Sequence, residues 1–152
     1  MDLTTIFSLS SLLVMPFWVL MVFLPHWRVT KRIMQSFWVI VPPALLYAVL
    51  VLPQLGGILG AVSNPTLDGI TALMGDPVAV TIAWVHFLAF DLFVGRWIYL
   101  DSRQVKISAW LIGPILYFTL MLGPVGFVSY VLVRGVVLSL RQRQIQTTPR
   151  PA

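Results

Sequence analysis

Long apolar runs separated by short polar connections make up most of the sequence. They cover about residues 4–24, 33–54, 77–100 and 109–133. Each is close to the roughly 20 residues that an α-helix needs to cross a hydrocarbon core about 30 Å thick. The pattern predicts an all-α fold, a polytopic membrane helix bundle of about four transmembrane helices in a single domain over 1–152, with a basic tail over 134–152.

Prolines inside the first two runs predict bends. Pro16 lies within the first run, and Pro42 and Pro43 lie centrally in the second. Proline removes one backbone hydrogen bond and clashes with the preceding turn, and neighbouring helices in a membrane re-satisfy the freed carbonyl. We therefore expect both helices to be kinked.

The connection between the second and third runs, GGILGAVSNPTLDGITALMGDP, predicts a short amphipathic helix at the membrane interface. Asn64 is a good helix cap with Pro65 at the first helical position, Gly75 ends the helix, and Asp76 caps the third span. The apolar residues of this short helix share one face; they are Leu67, Ile70, Leu73 and Met74.

The last apolar run is ambiguous. From Ser108 to Val133 the chain carries no charge, about 39 Å as a straight helix, which is too long for one upright span and too short for two. Gly-Pro pairs at 113–114 and 123–124 interrupt it. We predict a tilted, kinked fourth helix that leaves the membrane near Arg134. A re-entrant hairpin at the Gly-Pro pairs is the alternative.

The low content of charged residues indicates a membrane protein, and the positions of the basic residues predict its orientation in the membrane. Hydrophobic residues make up 59% of the 152 residues, charged residues only 10%, and the mean hydropathy is +0.92. The net charge is +5, and its basic residues lie in short connections and the tail, which suits orientation and contact with anionic lipid headgroups better than nucleic acid. Arg28, Lys31 and Arg32 mark one side as cytoplasmic. Four straight spans would place the basic tail on the other side, and a hairpin would remove that conflict.

The sequence offers little support for cysteine chemistry or for a metal site. With no cysteine, thiolate catalysis, disulfides and Cys-ligated metals are excluded, and a lone histidine is a weak metal signal. We expect no metal and no cofactor. The N-terminal run has no basic n-region and no small-residue cleavage site, so we expect it to remain as the first span, in a bacterial protein or one already shorn of a targeting sequence.

The stretch WVHFLAFDLFVGRWIYLDSR, which covers the end of the third run, carries ionisable residues at intervals of five. They are His86, Asp91, Arg96 and Asp101, and Arg103 follows them. With Ala89 near the middle of the span, His86 lies about 4–5 Å and Asp91 about 3 Å from the centre. Arg96 lies about 10 Å away and can snorkel to the headgroups, and Asp101 lies at the interface.

Asp91 is the strongest functional candidate among these residues. An ionised Asp near the midplane costs roughly 2.5–3.5 kcal/mol on insertion scales, so it should be neutral, paired or facing a polar cavity. A helix places His86 and Asp91 about 140° apart, so they form no common stripe. Either could instead hold helices together by hydrogen bonds. Candidate partners on other helices are Ser10, Ser11, Gln35, Ser36, Tyr47, Gln54, Tyr117, Thr119, Ser129 and Tyr130.

Aromatic side chains surround these charges along the same helix. They pack and anchor the span at the interface, or they line a slot for a long conjugated molecule, to which flat rings offer a large contact area. Spacing does not separate these two interpretations. The residues are Trp84, Phe87, Phe90, Phe93, Trp97 and Tyr99.

Two segments, NPTLDGITALMGDP and AWVHFLAFDLFVGRWIYLDSR, resemble the signature of the abscisic-acid-deficient-four family of small integral membrane proteins of plants and cyanobacteria. In plants this family is required to make neoxanthin from violaxanthin in plastid membranes. The resemblance implies a multi-pass protein of xanthophyll metabolism in a bacterial inner or thylakoid membrane, or a plastid membrane in a plant.

The resemblance also implies a chemistry and a ligand. An epoxide on a carotenoid end group would open and a proton would be lost to give an allene, which makes the protein an isomerase. Asp91 would protonate the epoxide oxygen and His86 would accept the departing proton. The carotenoid would contact the remaining site residues, which are Trp84, Phe87, Phe90, Arg96 and Trp97.

Two other functions stay open at this point. A non-catalytic carotenoid-binding or assembly subunit would use the same aromatic slot and would contact other membrane protein subunits. A proton or small-ion carrier would use His86 and Asp91, although only one helix is rich in ionisable residues and no inverted repeat is visible.

Overall fold

The computed structural model describes residues 2–147, with side chains up to residue 144, and every regular element in that range is helical. The all-α prediction is confirmed. The end of the predicted basic tail, with Arg150, lies outside the described residues. The helices are α1 (Leu3–Phe23), α2 (Arg28–Gln35), α3 (Val41–Val51), α4 (Leu55–Ser63), α5 (Leu67–Met74), α6 (Pro77–Gln104) and α7 (Ala109–Thr147), with 3₁₀ turns at Phe37–Val39 and Leu52–Gln54.

Four helical stretches of the described residues are long and apolar enough to cross a membrane: Leu3–Phe23, Val41–Ser63, Pro77–Gln104 and Ala109–Gln144. Packing divides the described chain into two compact units, one of residues 2–17 and 36–93 and the other of residues 18–35 and 94–147. Helices α1 and α6 contribute residues to both units. The single domain over 1–152 stays a prediction.

The second apolar stretch differs from its prediction over 33–54. The polar segment RVTKRIMQ forms the separate helix α2, and the apolar stretch begins only at Val41 and continues to Ser63. Pro42 and Pro43 therefore lie in the first turn of α3, where no intrahelical partner exists for the missing N–H groups. The bend expected at these prolines in the middle of the helix is wrong for this reason.

The predicted short helix and the start of the third span are present. Helix α5 begins after Thr66, whose side chain accepts a hydrogen bond from the backbone N–H of Gly69, so the cap is Thr66 and not Asn64. Gly75 ends α5 as predicted. The carboxylate of Asp76 accepts from the backbone N–H groups of Val78 and Ala79 at 2.8 and 2.9 Å, which confirms the predicted cap of α6.

In the first unit, α6 packs against α1. The ring of Trp84 stacks on Phe7 with centroids 5.2 Å apart, and its indole N–H donates to the hydroxyl of Ser11 at 3.1 Å. The second unit contains another close contact of these helices, because a Cβ on Gly95 would overlap the indole of Trp18, which is only 2% exposed. The hydroxyl of Tyr99 donates to the carbonyl of Pro25 at 2.9 Å.

Helix α7 is not one straight rod. Leu122 and Gly123 depart from helical dihedral angles, and the guanidinium of Arg141 donates to the carbonyls of Val105 and Lys106, the latter at 3.1 Å. A straight helix would place Arg141 about 48 Å from the start of α7. The chain therefore reverses near Gly123, which divides α7 into an entering arm (109–121) and a return arm (124–147).

This reversal differs from the predicted single tilted helix that ends near Arg134, and it corresponds to the alternative hairpin. Asp101 of α6 accepts hydrogen bonds from the hydroxyl of Tyr130 and from Arg134, whose Nε lies 2.7 Å from a carboxylate oxygen. Trp97, one turn earlier on α6, packs edge-on against Tyr130. The return arm thus runs parallel to α6, and its basic end comes back to the end of α6.

Candidate functional site

A groove between α3 and α6 in the first unit is the best candidate site. Its volume is about 270 Å³, slightly below the usual range of ligand pockets, about 300–1,000 Å³. Positions at helical spacing on both helices line it, so one face of each helix points inward. The lining residues are Ile40, Ala44 and Tyr47 on one side and His86, Ala89, Phe90 and Phe93 on the other.

His86 is the centre of an aromatic cluster in this groove. Its imidazole stacks on Phe90 with centroids 4.7 Å apart and planes inclined by 22°. Tyr47 lies 5.2 Å away in a tilted arrangement, and Phe87 meets the imidazole edge-on at 6.2 Å. The cluster fixes the orientation of the ring.

The composition of the groove determines what it can bind. Its surface is almost wholly apolar, and the two side chains able to exchange hydrogen bonds with a ligand are the imidazole of His86 and the phenol of Tyr47. Such a surface suits a flat apolar group that carries a polar substituent. An imidazole and a phenol can also donate and accept protons.

Asp91 does not line this groove. It lies five residues after His86 on α6, is half-buried, and makes no hydrogen bond within the described residues. The predicted separation of about 140° explains the placement, because the face of α6 that carries His86 turns toward α3. The structure therefore does not bring the predicted acid and the predicted base together in the groove, and the role of Asp91 stays a prediction.

Arg96 belongs to the second unit and does not snorkel as the sequence suggests. Its side chain is only 6% exposed, and its Nη2 donates to the carbonyl of Gln35 at 3.1 Å. Gln35 is the last residue of α2, where carbonyls have no intrahelical donor and the helix dipole is negative. Arg96 thus caps α2.

The other predicted ligand-binding residues have separate surroundings. Phe87 is 58% exposed and touches only the edge of His86. Trp84 packs on α1, and Trp97 packs against Phe127 and Tyr130 of the return arm. Of this set, Phe90 alone lines the groove.

Sequence reasoning missed most of the α3 side. Tyr47 is one of ten candidate polar partners of the charged helix, and Ile40 and Ala44 are not singled out at all. The spacing 40, 44 and 47 is a helical face and could have indicated it, but the predicted bend at Pro42 and Pro43 obscures that face. Among the described residues, no three His, Asp or Glu side chains cluster as metal ligands.

The fold and the groove define an all-α protein of the membrane type, with an aromatic groove between two apolar helices. The family model ABA DEFICIENT 4-like matches residues 5–130, and the chain belongs to this family. It is 26% identical over 140 residues to Protein ABA DEFICIENT 4, chloroplastic, of Arabidopsis thaliana. That alignment covers 88% of this chain and 62% of the Arabidopsis protein, so the chain spans less than two thirds of its relative. No solved structure matches the chain.

Proposed function

We propose that the protein is a multi-pass membrane protein of xanthophyll metabolism that binds the end group of an epoxy-carotenoid in the groove between α3 and α6. The observation that carries the proposal is the imidazole of His86 stacked on Phe90 in an otherwise apolar groove. A groove of about 270 Å³ takes one end group, and the remaining polyene would extend into lipid. Membership of the ABA DEFICIENT 4-like family supports the same class of ligand.

The reaction we propose is an isomerisation of the violaxanthin-to-neoxanthin type. The C–O bond of the epoxide breaks as its oxygen takes up a proton, and the adjacent polyene carbon loses a proton to leave an allene. One proton enters and one leaves, so no oxidant, reductant or cofactor is needed. His86 accepts the departing proton, and the phenol of Tyr47 donates to the oxygen. The sequence-based assignment of the acid to Asp91 is the competing proposal.

The test is the pigment extract of a host that supplies violaxanthin and produces either the unmodified chain or a variant. We expect neoxanthin with the unmodified chain and at least a hundredfold less with His86→Gln, because general acid–base groups contribute about 10²–10⁴-fold. Loss with Tyr47→Phe and not with Asp91→Asn would assign the acid to Tyr47, and the reverse result would assign it to Asp91. Full conversion by His86→Gln would refute the proposed base.

A matched pair of variants tests the groove itself. Ala44 lines the groove, and Ala72 of α5 is exposed and does not line it. Ala44→Leu fills the space that the end group would occupy, so it should abolish conversion, whereas Ala72→Leu should retain it. Equal activity of the two variants would place the carotenoid elsewhere.

A non-catalytic carotenoid-binding subunit is the second candidate. The observation in its favour is that the groove offers only two polar side chains, which suits retention of a pigment as well as its conversion. Purified protein that holds pigment in a fixed ratio without forming product, and that loses it in Ala44→Leu, would favour this function.

A further inference from the structure

A second groove lies in the second unit, between the end of α1 and the entering arm of α7. Its volume is about 630 Å³, well inside the usual range for ligand sites. No residue predicted from the sequence as part of the site lines it. The lining residues are Val22, Phe23, Pro25 and His26 on one side and Ala109, Trp110, Gly113, Pro114, Tyr117 and Phe118 on the other.

Arg103 contacts His26 at the polar end of this groove and has no ion-pair partner among the described residues. Arg103 Nη1 lies 3.2 Å from His26 Nδ1, and the guanidinium lies 5.6 Å from the ring centre of Tyr99. Its Nε is buried and has no hydrogen-bond partner among the described residues. The nearby carboxylate, Asp101, pairs with Arg134 instead. A half-buried cation in this position favours an anion brought from outside the chain.

The histidine contributes a second donor. A guanidinium can only donate hydrogen bonds, so Nδ1 of His26 accepts from Arg103, and the ring proton of the neutral imidazole resides on Nε2. His26 is exposed, and no described residue accepts from its Nε2. The imidazole N–H and the guanidinium together offer charge-assisted donors to an anionic oxygen.

The apolar part of the groove has the depth of one membrane leaflet. Ala109 and Phe118 lie about 14 Å apart along a helix, roughly half of a 30 Å hydrocarbon core. Trp110 is 92% exposed at the start of the entering arm, as expected for a tryptophan at the membrane–water interface. Arg28 and Lys31 lie two and five residues after His26 along the chain, so the groove opens at the basic end.

We propose that this groove binds a phospholipid whose headgroup is a single anionic phosphodiester. The phosphate oxygens accept from His26 and Arg103, and an acyl chain lies along the entering arm as far as Tyr117 and Phe118. Charge complementarity selects the anionic headgroup over a zwitterionic one, since the ammonium group of the latter would face the guanidinium of Arg103. The proposal stands apart from the carotenoid groove and does not depend on it.

The chain offers a matched pair of variants for the test. A Cβ at Gly113, which lines the groove, and at Gly135, which does not, meets nothing within 4 Å. Gly113→Leu therefore places a side chain in the groove with no clash at its Cβ, and Gly135→Leu is its control. Arg103→Gln removes the charge and keeps a hydrogen-bonding side chain.

The experiment reconstitutes the purified full chain into bilayers of nine parts phosphatidylcholine to one part phosphatidylglycerol. Lipids that remain bound after mild detergent extraction are then counted by native mass spectrometry. We expect the ratio of bound phosphatidylglycerol to bound phosphatidylcholine to exceed the bulk ratio about tenfold, as one charge-assisted hydrogen bond would give. This ratio should return to its bulk value in both Gly113→Leu and Arg103→Gln, and the enrichment should persist in Gly135→Leu.

Three outcomes would overturn the proposal. Retention of both lipids at their bulk ratio would remove the headgroup selectivity, and enrichment that survives Gly113→Leu would place the lipid outside the groove. Displacement by inorganic phosphate at millimolar concentration, without loss in Gly113→Leu, would indicate a phosphate site with no acyl component. Circular dichroism of each variant shows that its helices are intact before binding is compared.

Discussion

The reversal of α7 brings Gly126 so close to the entering arm that only glycine fits there. The substitution Gly126→Ala tests this close approach. A Cβ at Gly126 would overlap the backbone N, the Cα and the hydroxyl oxygen of Thr119 in the entering arm. In a straight helix, residues seven apart are separated by about 10 Å and would not meet in this way. Two of the overlapping atoms are backbone, so a side-chain rotation in Thr119 cannot relieve the clash.

Gly135→Ala is the control, and comparison with it gives the expected loss of stability in Gly126→Ala. Replacing glycine by alanine in a helix stabilises it by about 0.8–1 kcal/mol in either position, and a Cβ at Gly135 meets nothing within 4 Å. Propensity therefore cancels between the two variants, and their difference equals the cost of the overlap. Overpacking lowers the free energy of unfolding by about 1–3 kcal/mol, occasionally more. Because the Cβ at Gly126 would overlap backbone atoms, we expect a loss at the upper end of this range.

The assay is unfolding in detergent micelles followed by circular dichroism, with both variants measured against the unmodified chain. We expect Gly135→Ala to unfold at higher denaturant than the unmodified chain and Gly126→Ala to unfold at lower. Equal stabilities of the two variants would refute the reasoning, because they would show that Gly126 and Thr119 do not touch and that the arms of α7 do not fold back.

Three further predictions follow from single contacts. Asp76→Ala should destabilise the protein by about 1 kcal/mol because α6 loses its cap, whereas Asp76→Asn should retain most of the stability; the same unfolding assay decides. Trp18→Ala should cost about 3–5 kcal/mol, since the indole is fully buried, and unchanged stability would show that the contact with α6 is dispensable. Because the chain has no cysteine, single cysteines at Lys106 and Gln142 should react with an impermeant reagent from the same face of a vesicle. A cysteine at Asp2 should react from the other face, and labelling of Lys106 and Gln142 from opposite faces would exclude the hairpin.

Local signals in the sequence predict the helices and several of their ends. Apolar runs of about 20 residues predict the all-α fold with four long apolar helices. Asp76 and Gly75 are identified as cap and terminator because capping depends on a few neighbouring residues. Proline is harder to interpret: Pro42 has the same local chemistry inside a helix and in its first turn, and the choice depends on where α3 begins.

The candidate site depends on packing, and the sequence identifies only part of it. His86 and Phe90 are two of the residues singled out from the sequence, and both line the groove. The sequence alone cannot show that α3 covers their face of α6 and leaves Asp91 out, since helical periodicity gives relative angles and no partner. Arg96 illustrates the same limit, because a guanidinium able to snorkel instead meets the carbonyl end of α2.

Composition and contacts within a few residues establish the class of protein, most of the helical segments and the basic character of the connections. Long-range packing establishes that α7 reverses at Gly123, that Asp101 pairs with Arg134, and that two separate grooves form. Lipid tails are as apolar as the side chains of a membrane helix, so burial of apolar surface does not determine which face of a helix packs against a neighbouring helix. The packed face is determined by close contacts at residues such as Gly126 and by a few polar contacts between helices. The sequence alone does not reveal either kind of contact.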